Sequence, residues 1–225
     1  MPTAAADRPR RCRRPRQPSP PTGDERRAAI LETAERLLAE RRLRDISIDD
    51  LARGAGISRP TFYFYFGSKD EVLLTLLEGV VAEADQAVAE AFGSLATSPA
   101  ERLRSALTGV FVAFRDHRAI TLAIAEGYAA GGEIHTRWTQ SMTHWVDITA
   151  AAVEAERARG AAPDGLPARD LAVMLNAMNE RVLMDTYGAF GGGALAIPEE
   201  RVVDSLLAAW LHLIYRSAPL PAPAP

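Results

Sequence analysis

An all-α fold of about nine helices is what this sequence predicts, on three observations. Apolar residues recur at three- and four-residue steps through most of the chain, and no stretch shows the sustained alternation of a strand. Ser or Thr stands three residues ahead of Asp or Glu at the head of several of these stretches, which is the capping-box pattern. The tightest glycine and proline clusters fall between the periodic stretches.

The first helix is expected over about 24–41, capped by Thr22-x-x-Glu25, with Ile30, Leu31, Ala34, Leu37 and Leu38 on one face. Ser47-x-x-Asp50 starts a short second helix that ends at the Gly54-Ala55-Gly56 turn. Ser58 caps a third helix within 59–66, where Pro60 is tolerated in the first turn. Ser68-x-x-Glu71 opens a long fourth helix to about Phe92. Ser98-Pro99-x-Glu101 opens a fifth, with Leu103, Leu107, Val110, Phe111 and Phe114 inward. A sixth helix is expected over about 118–128, a seventh over 133–159 stopping at Gly160, and an eighth over 167–188. A Gly191-Gly192-Gly193 loop follows, and Pro198 begins a ninth.

The totals fit a soluble protein of one large or two small domains: 225 residues, 48% hydrophobic and 24% charged. No apolar run approaches the roughly 18 residues of a membrane span. The N-terminal arginines have no apolar segment behind them, so no signal peptide is expected. Cys12 is the single cysteine, which excludes an intrachain disulfide and fits a bacterial cytoplasm. Charge is uneven. Residues 1–23 hold six arginines against Asp7, whereas residues 71–225 hold 11 basic and 19 acidic groups. With six prolines and almost no large apolar residue, residues 1–23 are expected to be a disordered basic arm, either touching nucleic acid or simply solvated. Residues 217–225 are a second disordered tail.

Five consecutive aromatics, Phe62 to Phe66, stand in a chain with three Trp, five Tyr and seven Phe. A strand is excluded by Gly56, Pro60 and the caps on either side. In a two-turn helix Phe62 and Phe66 share the inner side, while Phe64 points away, flanked by Tyr63 and Tyr65 and next to Pro60 and Thr61. The alternative is that all five rings pack on neighbouring helices. Exposed rings on a short, tightly held helix mark a contact surface, and the two helices with their glycine turn have helix-turn-helix spacing. The second helix of such a unit enters the DNA major groove. Tyr hydroxyls can there meet phosphates, ring edges and Thr61 can touch thymine methyls, and Lys69 can add a phosphate contact. Ser47 and Arg59 complete the expected DNA-binding set.

Gly56, Ile57, Ser58, Thr61, Tyr63, Phe66, Ser68 and Lys69 resemble the DNA-binding signature of the TetR family of one-component bacterial repressors. Most members have His where this chain has Tyr65. The resemblance runs on through the Thr149–Gly160 region and LNAMNER at 175–181, so it covers about residues 24–216. It implies a helix-turn-helix DNA-binding domain over 24–68 and a larger ligand-binding and dimerisation domain over 69–216.

In that larger part, Trp138, Met142, Trp145 and Thr149 form one stripe of the seventh helix, either as core or as the wall of a cavity. Asn176 and Asn179 lie with Leu183 on one stripe of the eighth. They are either satisfied by backbone or Glu180, or serve as polar anchors in a mostly apolar cavity. Phe114 is expected to join this wall. No arginine cluster faces the stripe, so a small hydrophobic effector is expected rather than a highly charged one. The resemblance further implies a homodimer through the eighth and ninth helices, with Val203, Leu206, Trp210 and Ile214 at the interface.

His117, His135, His144 and His212 have no metal-ligand spacing, and no cysteine nucleophile, phosphate loop or Gly-x-Ser-x-Gly elbow is present, so neither catalysis nor a metal or cofactor is expected. The expected function is a repressor that leaves a near-palindromic DNA operator when the effector binds. The alternative is a dimeric regulator that binds DNA without any ligand.

Overall fold

The computed structural model of the chain describes residues 22–93, 98–187 and 197–216, with the side chain of Ala129 excepted. Most of the expected basic arm, Cys12, the Gly191–Gly193 loop and the C-terminal tail lie outside the described residues. Within them are nine α-helices, a single 3-10 turn and no strand.

Helix α1 (Gly23–Glu40) begins with the expected capping box: Thr22 Oγ1 accepts from the Glu25 amide, and the Glu25 carboxylate accepts from the Thr22 amide. Its buried residues Ile30, Ala34, Leu37 and Leu38 follow the helical period and seat it on the body. The 3-10 turn Leu43–Asp45 carries no periodic signal and was not expected. It is held from outside, because Lys69 Nζ donates to the carbonyls of Leu43, Arg44 and Ile46 at 2.7, 3.3 and 3.1 Å.

Helix α2 (Ile48–Gly54) is capped by Ser47 and α3 (Arg59–Tyr65) by Ser58, whose hydroxyl accepts from the Thr61 amide. Between them Gly56 takes a φ of +68°, a left-handed conformation that most side chains would strain. The Ile57 amide then reaches back to the Ala52 carbonyl and fixes the angle between the two helices.

The body comprises α4 (Lys69–Gly93), α5 (Pro99–Asp116), α6 (Arg118–Ala130), α7 (Gly132–Ala158), α8 (Ala168–Tyr187) and α9 (Glu199–Tyr215). Helix α4 lies along α5, where Gly109 meets Ala87 so closely that any side chain at 109 would collide with it. Helix α7 packs on α8, and α9 against α5 and α8. Helix α1 contacts both α4 and α6, so the two parts of the chain share a continuous apolar core.

Candidate functional site

Two regions stand out, one convex and one concave. On α3, Phe62 is fully buried and Phe66 is 2% exposed, while Phe64 is 83% and Tyr63 47% exposed. Tyr65 is half-buried, its ring edge-on to Phe64. Two inner rings anchor the helix, and three are presented outward. Pro60 is exposed beside them, and the Thr61 hydroxyl shares a 2.8 Å hydrogen bond with that of Ser58. Arg59 reaches across the turn: one nitrogen donates to Asp49 at 3.0 Å, another to the Tyr63 hydroxyl at 3.4 Å, and its guanidinium covers the Tyr63 ring. Ser47 is exposed, with its hydroxyl donating to Asp50 in the cap of α2.

Lys69 requires a correction. Its ammonium is spent on three carbonyls, as many acceptors as it has donors, so it braces the 3-10 turn rather than waiting free for a phosphate.

The concave region is a cavity of about 770 Å3 between α4, α5, α7, α8 and α9. Trp138, Met142, Trp145, Thr149, Asn176, Asn179 and Leu183 all line it. The stripes on α7 and α8 thus converge as the wall of one chamber. Phe114 does not line it. It is 1% exposed and packs edge-on behind both Trp138 and Trp145, while Phe111, one turn earlier, faces the space. The inward face of α5 was legible, but not which of its rings met the cavity and which met other rings.

All three tryptophans of the chain border this cavity, and each indole N–H has a side-chain acceptor. Trp138 donates to Glu180 at 2.5 Å, Trp145 to Asp85 at 2.7 Å and Trp210 to Asn179 at 3.0 Å. The Asn176 amide nitrogen donates to Thr149 Oγ1 at 3.0 Å and to the Ala172 carbonyl at 2.9 Å. Both amides are therefore partly satisfied within the protein. Among the described residues, the Asn176 oxygen and the Asn179 nitrogen retain capacity.

The expected dimer contacts also need correction. Leu206 is 2%, Ile214 5% and Trp210 8% exposed within a single chain, and the last two line the cavity. Val203 is only half-buried. These residues form one apolar stripe, but that stripe points into the protomer. The outward apolar residues are instead on α8, where Val173 is 48% and Met174 52% exposed beside the exposed Ala177.

The far end of the cavity is polar, contrary to expectation. Arg102 of α5 and Arg159, at the end of α7, both pair with Glu156, and all three line the space with Tyr215. Burial and a hydrogen bond to Glu156 push the Tyr215 phenol up to about 12. The α7 stripe was followed only to Thr149, and this cluster begins two turns later.

Comparison with known proteins places both regions. Residues 30–76 match the family model of bacterial regulatory proteins of the tetR family, and residues 103–216 match the C-terminal domain of the transcriptional regulator EthR. The chain is 49% identical over 207 residues to the HTH-type transcriptional regulator EthR of Mycobacterium tuberculosis, covering 90% of this chain and 93% of that protein. It is 44% identical over 220 residues to EthR of Mycolicibacterium smegmatis, covering 98% and 99%. Among solved structures, a putative transcriptional regulator from Saccharomonospora viridis in complex with choline is 26% identical, with a TM-score of 0.63, over 85% of this chain and 96% of that one. These relatives are transcriptional regulators rather than enzymes. The chain belongs to the TetR family of bacterial transcriptional regulators and carries an EthR-type C-terminal domain.

Proposed function

We propose that this regulator is a homodimeric repressor, held on a near-palindromic operator by α2 and α3 and released when a small, largely apolar effector occupies the cavity. The open chamber of about 770 Å3 carries the reading. Trp138 and Trp145 are large enough to fill such a space, yet both are pinned into its wall by hydrogen bonds to Glu180 and Asp85. A volume of this size with a few polar anchors suits a small-molecule site. The fold relative solved in complex with choline supports a small-molecule effector as well.

The DNA contacts come from Ser47, Arg59, Pro60, Thr61, Tyr63, Phe64 and Tyr65. Dimerisation uses the outer face of α8, with Val173, Met174 and Ala177 at its centre, beside α9. Two recognition helices then enter successive major grooves, about 34–36 Å apart. The effector acts by favouring a spacing that no longer fits, which requires unequal affinity for the two states.

Genomic fragments selected by the purified protein supply the operator. Hydrophobic amides, esters and ketones are then screened by thermal shift and by loss of operator binding. Ligands that quench tryptophan fluorescence and release DNA support the reading. If they raise the melting temperature and never alter DNA binding, the cavity is a packing feature and the ligand-independent regulator stands.

A further inference from the structure

We infer that the effector is a monocation, an amine or quaternary ammonium on an apolar body, whose charged head sits between Trp138 and Trp145. This inference rests on the effector reading above. The two indoles stand 6.4 Å apart at 89°, so a small group held between them meets the face of one ring and the edge of the other. Cations are attracted to aromatic faces within about 6 Å of the ring centroid, most strongly to indole.

The acceptors on these indoles add negative charge to the same place. Glu180 takes the N–H of Trp138 and Asp85 that of Trp145, and both carboxylates line the cavity. Satisfying an indole N–H requires only a neutral acceptor, as Asn179 shows for Trp210. Two carboxylates exceed that need, and placing negative charge beside an apolar space is unfavourable unless a cation answers it. Among the described residues Glu180 has no ion-pair partner, and Asp85 has only His144, at 3.8 Å. At the opposite end Arg102 and Arg159 are both engaged by Glu156, so that end does not call for an anion.

The test uses three probes with one chain and different heads: nonylamine, nonanol and nonanoate. Binding to the full-length protein is measured by calorimetry and tryptophan quenching. Nonylamine is expected to bind at least tenfold more tightly than nonanol, with nonanoate weakest. Glu180→Gln and Asp85→Asn keep an acceptor for each indole and remove the charge. Each is expected to reduce the amine preference while leaving nonanol affinity unchanged. Equal binding of amine and alcohol, a preference for nonanoate, or an amine preference that survives in both variants overturns the inference and leaves the effector reading intact. If none of the three binds, both are overturned.

Discussion

The recognition helix and the cavity use aromatic side chains in opposite directions. On α3 the outward rings are Tyr63, Phe64 and Tyr65, and Phe64 meets little but its neighbour Tyr65. Around the cavity Trp138 is 2% exposed, Trp210 is 8% exposed, and all three indoles end on side-chain acceptors. The difference follows from helix length and surroundings. A seven-residue helix resting on one side has room for two buried rings, so a third must face solvent. A helix of 27 residues packed among four others can place an indole on core, cavity or neighbour with the same spacing. Surface function is therefore written into α3 by elimination, while the function of α7 depends on what the other helices bring.

The sharpest way to break this contrast is to remove one ring from each side of α3. Phe62→Ala deletes a fully buried ring, and such truncations cost about 3–5 kcal/mol. Phe64→Ala is expected to stay within about 0.5 kcal/mol of the parent, as surface changes do. Urea denaturation measures both. Equal losses would place Phe64 in a core and remove the case for a DNA-facing ring.

A second test separates folding from binding. Tyr63→Ala is expected to weaken operator binding by about 1–3 kcal/mol with helical content unchanged. Fluorescence anisotropy against salt gives the affinity, and circular dichroism checks the helices. A drop in melting temperature without a loss of affinity would reverse the assignment.

In the cavity the same operation has the opposite readout. Asn179→Ala leaves the Trp210 N–H without its acceptor, and a buried unpaired donor of this kind costs about 1–3 kcal/mol. Stability is expected to fall while operator affinity in the absence of effector stays constant. Loss of DNA binding by the folded variant would show that the two regions are not separable in this way.

These contrasts also mark how far the sequence carried. The caps at Thr22, Ser47, Ser58 and Ser98 set the starts of four helices, because a capping side chain bonds only to backbone three residues away. The inner and outer rings of α3 were legible for the same local reason. What stayed hidden depends on long-range partners. Lys69 has the look of a phosphate ligand until the Leu43–Asp45 carbonyls are placed around it. The stripe of Leu206, Trp210 and Ile214 is apolar on any helical wheel, and periodicity alone does not distinguish a partner chain from the chain's own cavity. Glu180 adjoined the stripe of amides, yet its bond to Trp138 spans 42 positions of sequence.

The smallest expected effect lies where the two regions meet. His117 stands at the junction of α5 and α6, its Nδ1 2.7 Å from Glu35 of α1 and its Nε2 3.3 Å from Glu83 of α4. Burial pulls its pKa down, but the hydrogen bond and charge of Glu35, with the charge of Glu83, more than offset this and raise it above the ordinary value of 6.5. A raised folded-state pKa means that the native protein holds this proton more tightly than the unfolded chain does. The stabilisation is therefore complete below the unfolded pKa, near 6.5, and is lost as pH climbs through the higher folded value. Partly exposed ion pairs contribute about 0–1 kcal/mol, so the effect is modest. It should appear as a decline in melting temperature from pH 6 to 8 that is shallower in His117→Gln. Because Glu35 belongs to the DNA-binding helices and Glu83 to the body, the variant should also change how strongly an effector shifts operator affinity. An identical pH slope in parent and variant would show that His117 does not link the two regions through its charge.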